Sequence, residues 1–249
     1  VILYGDTPLI QQTTLDELIK THKKTNASCT FLTAKMKDPT GYGRVLRDDA
    51  DNIVRIVEEK EASLYDKVIE EVNVGAYCFK SQYLFSALRE INNNNKKGEY
   101  YLTDIISVFR RKKLKIESVG TESEEEAFGI NSKEELAKAE KILRDRALKK
   151  FLEDGVTITD PANTYIDIST RIGEDTVIKP YTIIEEDVII GSECVIGPFA
   201  RLRPGTVLSD KVEIGNFVEL TRCNVGEGTK IKHHTYVGDA VIGKNVNVG

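Results

Sequence analysis

Two hydrophobic rhythms divide the chain. Over residues 1–128, four short apolar runs (Val1–Tyr4, Cys29–Leu32, Val72–Phe79 and Leu114–Val119) predict strands. Between them Thr14–His22, Tyr83–Ile91 and Leu102–Phe109 carry apolar residues at helical spacing, such as Leu15, Leu18 and Ile19 in the first. Strands alternating with helices predict an α/β unit, a sheet with helices packed on it. Asp38–Gly43 (DPTGYG) reads as a turn and Asn92–Lys97 (NNNNKK) as a polar loop. A long helix is expected over residues 132–155. Ser132 and Glu135 match a capping box, and Leu136, Ala139, Leu143, Ala147 and Phe151 recur at helical spacing until Gly155. At the standard rise it spans about 36 Å, enough for a strut between modules; a terminal helix packed on the first module fits equally, and the two are compatible.

From residue 156 the period changes to six. Ile166, Ile172, Ile178, Ile184, Ile190, Ile196, Leu202, Leu208, Ile214 and Leu220 are evenly spaced, and Val225, Ile231, Val237, Ile242 and Val248 continue the series after two shortened steps. Four residues beyond successive anchors stand small or branched residues: Thr176, Thr182, Val188, Cys194, Ala200, Thr206, Val212 and Val218. Six residues make one short strand and a turn, so three repeats close a triangular coil. The aliphatics then stack inside the prism and successive coils hydrogen-bond as parallel strands. The second half is therefore expected to be a parallel β-helix.

Composition narrows the class. With 35 basic and 40 acidic residues the net charge is −5, and no basic cluster occurs, which argues against nucleic acid as the main partner. No apolar run approaches the ~20 residues of a membrane-spanning helix, so no membrane partner is expected. Cys29, Cys78, Cys194 and Cys223 are scattered without CxxC spacing and read as free thiols in a reducing, cytoplasmic compartment. The chain opens inside a strand pattern and stops inside a repeat, so it reads as cut at both ends.

Several residues carry chemistry, each with a plainer alternative. Asp6 follows a strand, where open α/β sheets place ligands, but it is equally a strand-end turn residue. Gly43 would let backbone approach a ligand closely, or is simply a turn glycine. Glu58 and Asn73 read alone are solvated strand-edge residues. Histidine suits a general base near neutral pH. There are three: His22 ends a helix as a surface residue, and His233 and His234 sit together on the β-helix.

Taken in order, the motifs point further. Tyr4-Gly-Asp6 with Pro8-Leu9, DPTGYGR (38–44), IVEEK (56–60), VNVG (72–75), GEYYLTD (98–104) and GIN (129–131) precede a hexapeptide helix. That helix carries GPFARLRPG (197–205), GNFVE (215–219) and HHTYVGD (233–239). Over nearly its whole length the chain resembles the bacterial bifunctional enzymes that acetylate glucosamine 1-phosphate from acetyl-CoA and then uridylylate the product with UTP. The resemblance implies a partial Rossmann-like nucleotidyltransferase domain (1–131), a linker helix (132–155) and a left-handed parallel β-helix acetyltransferase domain (156–249). It also implies Mg²⁺ on Asp6 and Asn131. Tyr4, Gly5, Gly43, Glu58 and Asn73 would contact N-acetylglucosamine 1-phosphate and its nucleotide product. His233 would be the acetyl-transfer base, Arg203 the grip on the sugar phosphate, and Tyr236 and Asn247 positioning groups. A homotrimer with acetyl-transfer sites between chains is implied as well.

The sequence departs from that family pattern in places. Where the family has a lysine after the GNFVE stretch, Leu220-Thr221-Arg222 stands, leaving Arg222 as the one basic side chain that could substitute. The glycine-rich triphosphate loop is expected before Val1 and the acetyl-CoA coils beyond Gly249. This stretch alone is thus expected to have negligible uridylyltransferase activity. Two rival readings are a pyrophosphorylase making ADP- or dTDP-sugars with a structural β-helix, and a non-catalytic regulatory subunit of the same architecture. The HHTY and ARLRPG stretches argue against the first, the chemistry of Asp6, Asn131 and His233 against the second.

Overall fold

The computed structural model describes residues 1–249, which divide into two compact units, Val1–Ala139 and Glu140–Gly249. In the first unit six strands form one sheet: β1 (Ile2–Leu3), β2 (Cys29–Lys35), β3 (Arg44–Arg47), β4 (Ile53–Val57), β5 (Glu71–Phe79) and β6 (Ile116–Thr121). Their order is β4-β3-β5-β2-β6, with β1 on β5. Only β2 and β6 run parallel; the remaining pairs are antiparallel. Three helices accompany the sheet: α1 (Gln12–Thr25), α2 (Ser81–Leu88) and α3 (Ile105–Arg111).

The apolar runs become strands because their residues are needed on both faces. In β5 everything from Val72 to Cys78 is buried. One face joins Cys29, Phe31, Val45, Ile56, Tyr77, Ile105, Ile106 and Phe109; the other joins Leu18, Leu32, Ala34, Val72, Val74 and Ala76. Helix α3 begins later than the expected Leu102, because Leu102–Asp104 form a 3-10 turn. Strands β3 and β4 escape a reading by apolar runs, since arginines interrupt both (RVLR and IVRIV).

Helix α4 (Lys133–Glu153) starts as the capping box requires: the Glu135 N–H donates to Ser132 Oγ at 3.2 Å. The return arm reaches the Ser132 backbone and also one residue further. Glu135 Oε2 accepts from the Asn131 N–H at 2.7 Å and so fixes the backbone of a candidate ligand residue.

The second unit is a triangular β-helix. One face stacks Thr157–Ile158, Val177–Ile178, Val195–Ile196, Glu213–Asn216, Lys230–His233 and Asn247–Val248, and two five-strand faces complete the prism. All stacked pairs are parallel, as Val177 with Val195 and Glu213 with Lys230 illustrate. The aliphatic ladder faces inward. Ile178, Ile196, Leu202, Leu220 and Ile231 are fully buried, with Thr176, Thr182, Cys194, Thr206 and Val212 beside them. Burying each Ile or Leu stabilises the coil stack by about 1.5–3 kcal/mol.

The six-residue corners demand something that hydropathy does not encode. A residue with φ between 43° and 61° recurs at Asp175, Tyr181, Asp187, Glu193, Phe199, Lys211, Phe217, Arg222, His234, Asp239 and Asn245. Left-handed backbone costs a non-glycine residue about 1–2 kcal/mol, which the stacked coils must offset. No helix is long and apolar enough to cross a membrane.

Candidate functional site

The motifs of the first unit converge around Asn73. Its N–H donates to the Gly43 carbonyl at 2.9 Å, joining the DPTGYGR turn to β5. Gly43 is buried without a side chain, and a Cβ there would stand 3.0 Å from Ile56 Cγ2 and 3.5 Å from Glu58 Oε1. Glu58 follows Val57, the last residue of β4, and lies half-buried beside it. Tyr4 arrives from the other side: its N–H donates to the Gly75 carbonyl at 3.0 Å, and its ring lies under Gly75. Gly75 has φ +90°, and a Cβ on it would come within 2.3 Å of the Tyr4 ring, so only glycine fits. Burial raises the Tyr4 phenol above its ordinary value, and the charges of Glu58 and Asp6 add to the effect.

Tyr4, Gly43, Glu58 and Asn73 thus form one cluster. Asp6 and Asn131 form a second beside it. The Ile130 N–H donates to the Asp6 carbonyl at 2.8 Å, which sets the two exposed oxygen-bearing side chains on adjacent segments. The Gly129 backbone also hydrogen-bonds Tyr42, tying the GIN segment to the DPTGYGR turn. Gly5 lies exposed between the clusters and its position meets nothing within 4 Å. No group of three or more His, Cys, Asp or Glu is arranged to hold a metal. A carboxylate and an amide oxygen open to water nevertheless fit a hard cation that keeps several waters and takes phosphate oxygens.

Thr103 is a site residue that the apolar pattern does not single out. It is buried, and its hydroxyl donates to Glu58 Oε1 at 2.7 Å. Its one signal in the sequence is the GEYYLTD motif. A cavity of about 320 Å³ adjoins Glu58, with Glu61, Tyr101, Asp104 and Arg111 among its walls. Burial, reinforced by Glu61, holds the Asp104 carboxyl above its ordinary value.

In the second unit, His233 ends the strand Lys230–His233, paired with Asn216 on the coil below. It is exposed, and its ring has no hydrogen-bond partner in the chain. His234 caps a column of rings along one edge: Tyr181, Phe199, Phe217 and His234 stack at 4.9, 5.3 and 5.1 Å. Arg203, Glu219 and Tyr236 lie on the next face. Arg203 Nη1 donates to Glu219 Oε1 at 2.8 Å, and Glu219 pairs in register with Tyr236. Tyr236 is 62 % exposed, its ring folded over Gly238. Glu219, which orients Arg203, belongs to the GNFVE motif but has no chemical signal of its own.

One expected positioning group, Asn247, is not brought to His233. Asn247 pairs with Lys230, three residues before His233 along the strand, which places it about 10 Å away. Arg222 sits at a corner with φ 43° and is committed to Asp239, Nε to Oδ1 at 2.6 Å and Nη2 to Oδ2 at 2.7 Å. Thr221 is 2 % exposed. Thr221 is thus walled in, whereas Arg222 stays exposed in an ion pair of the same kind as that of Arg203 with Glu219.

Comparison with known proteins agrees with this division. A family described as nucleotidyl transferase matches residues 1–124, and one described as bacterial transferase hexapeptide (six repeats) matches residues 169–204. The bifunctional protein GlmU of Geobacillus sp. (strain WCH70) is 42 % identical over 282 aligned positions, covering 100 % of this chain and 61 % of the relative. The GlmU proteins of Pelotomaculum thermopropionicum and Acetivibrio thermocellus are each 43 % identical over all of this chain and 62 % and 61 % of their own length. The chain therefore spans about three fifths of the length of the relatives it matches. With an α/β unit matched by the nucleotidyl transferase family and followed by a hexapeptide β-solenoid, the chain is similar along its entire length to bifunctional GlmU proteins.

Proposed function

We propose that the protein takes part in UDP-N-acetylglucosamine synthesis through two transfers. In one, the amine of glucosamine 1-phosphate attacks the thioester carbon of acetyl-CoA and free CoA leaves. In the other, a phosphate oxygen of N-acetylglucosamine 1-phosphate attacks the α-phosphorus of UTP and pyrophosphate leaves. The observation that carries this reading is the convergence of Tyr4, Gly43, Glu58 and Asn73 beside Asp6 and Asn131.

The residues have definable tasks. Gly43 lets a sugar ring approach the backbone, Glu58 accepts hydrogen bonds from its hydroxyls, and Asn73 addresses the 2-substituent. Asp6 and Asn131 would hold Mg²⁺, which offsets the charge of the phosphates. In the second unit His233 takes a proton from the attacking ammonium group, a task that its free ring nitrogens permit. Arg203, held by Glu219, is left as the cation for the sugar phosphate. Tyr236 and Asn247 would position the substrate, Asn247 at the distance given above. The half-exposed ring column supports association of copies, in keeping with a homotrimer. Four free, buried cysteines support a cytoplasmic setting. In domain terms the reading assigns residues 1–131 to uridylyl transfer, 132–155 to a linker and 156–249 to acetyl transfer.

Calorimetric titration with N-acetylglucosamine 1-phosphate in the presence of Mg²⁺ tests the first site. Saturable binding that Glu58→Ala abolishes supports the assignment; no binding by the parent chain overturns it.

A further inference from the structure

The hydrogen bonds around Asn73 have a fixed polarity that follows from one backbone group. The Gly75 N–H can only donate, and it lies 3.3 Å from one terminal atom of the Asn73 amide, which must therefore be Oδ1. The Tyr77 hydroxyl is 2.9 Å from the same oxygen and must donate to it. Its single hydrogen is then used, so in the 3.4 Å contact with Tyr4 the hydrogen comes from Tyr4. The chain runs in one direction: Tyr4 OH to Tyr77 OH to Asn73 Oδ1. Tyr77 is fully buried, and its ring is clamped between those of Phe31 and Phe79, at 6.1 and 5.5 Å. Asn73 is 8 % exposed, and its side chain also hydrogen-bonds that of Tyr4, which leaves N–H hydrogen on Nδ2 for a ligand.

We propose that Tyr77 is a positioning residue for the sugar pocket: with the Gly75 N–H it holds the Asn73 oxygen inward, so that the amide presents only N–H donors to a ligand. This rests on the reading of that pocket given above and deepens it. A 2-acetamido group brings a carbonyl oxygen that accepts from Nδ2. A 2-ammonio group brings only donors and meets donors. The pocket thereby selects the acetylated sugar phosphate by hydrogen-bond polarity, without any charge at Asn73. Released from Tyr77, the amide oxygen keeps only the weaker bond at 3.3 Å and the amide turns more freely.

The test compares the full chain with Tyr77→Phe by two readouts. Calorimetry with N-acetylglucosamine 1-phosphate and, separately, glucosamine 1-phosphate is expected to show about tenfold weaker binding of the acetylated ligand in the variant and no change for the other. Nitrogen-15 NMR of the ligand-free protein is expected to show one Asn73 side-chain amide signal in the parent chain and a shifted or exchange-broadened one in Tyr77→Phe. Equal affinities, or an unchanged Asn73 signal, overturn the proposal. If the parent chain binds neither sugar phosphate, the reading of the pocket fails, while the NMR comparison still decides whether Tyr77 holds the amide. Should Tyr77→Phe not fold, Asn73→Asp takes its place. That variant keeps an inward oxygen for Tyr77 and Gly75 and turns an acceptor outward. It is expected to reverse the preference between the two ligands, and retained preference for the acetylated one overturns the proposal.

Discussion

Thr103 holds one carboxylate oxygen of Glu58 at 2.7 Å from a buried hydroxyl, so Glu58 meets the pocket with its other oxygen. The bond joins residues 45 positions apart and turns a flexible side chain into a directed acceptor. Thr103→Val keeps the volume and removes the donor. Affinity for N-acetylglucosamine 1-phosphate is expected to fall about fivefold to tenfold, with unfolding stability reduced by about 1 kcal/mol. Calorimetry and thermal unfolding measure the two, and unchanged affinity would show that Glu58 needs no anchor.

Ile183 and Ile184 are neighbours with the same side chain, but Ile183 is 42 % exposed and Ile184 2 %. Ile184→Ala opens a cavity in the prism and should cost about 2–5 kcal/mol. Ile183→Ala should cost about 1 kcal/mol or less. Urea unfolding separates them, and equal losses would contradict the inward ladder.

Arg44 is a buried cation, 2 % exposed, whose Nη1 pairs with Glu59 at 2.8 Å. Its guanidinium also donates to the Tyr42 carbonyl, and its Nε has no partner. Burial works to raise the Glu59 carboxyl, but hydrogen bonds from Lys67, the Gly41 N–H and Arg44 outweigh it and hold the group below its ordinary 4.5. A depressed folded value means that the stabilisation is complete above pH 4.5 and is lost as the pH falls through the folded value. Glu59→Gln should cost about 1–2 kcal/mol at neutral pH and flatten that part of the acid dependence. Parallel acid slopes for parent and variant, in urea unfolding at a series of pH values, would refute the coupling.

His233 has the free ring and exposure that a base needs. In the complete protein His233→Ala should lower acetyl transfer by about a hundredfold or more and leave UDP-N-acetylglucosamine formation from N-acetylglucosamine 1-phosphate unchanged. Separate assays of CoA and pyrophosphate release follow the two. Parallel loss of both activities would defeat the assignment.

The β-helix was legible because its constraint repeats: coil after coil buries the same position, so a period of six, shortened by one at two steps, marks it. The capping pair Ser132–Glu135 was legible for a similar reason, since both partners lie within one turn. The local strand runs of β2 and β5 also announce themselves, being buried on both faces. What lies across the chain was decided by tertiary pairing. Strand β3 exists because it closes against β5, and β4 because it closes against β3, despite their arginines, and that pairing sets Gly43 against Asn73 and Glu58. That Arg222 faces Asp239 was not legible either, because that partner comes from the next coil. Sequence reports which side chains are present and how often they recur. Which of two hydrogen-bonding partners a group takes, and which atom of Asn73 is left to face a ligand, depends on neighbours that only the folded coil and sheet bring within 3 Å or so.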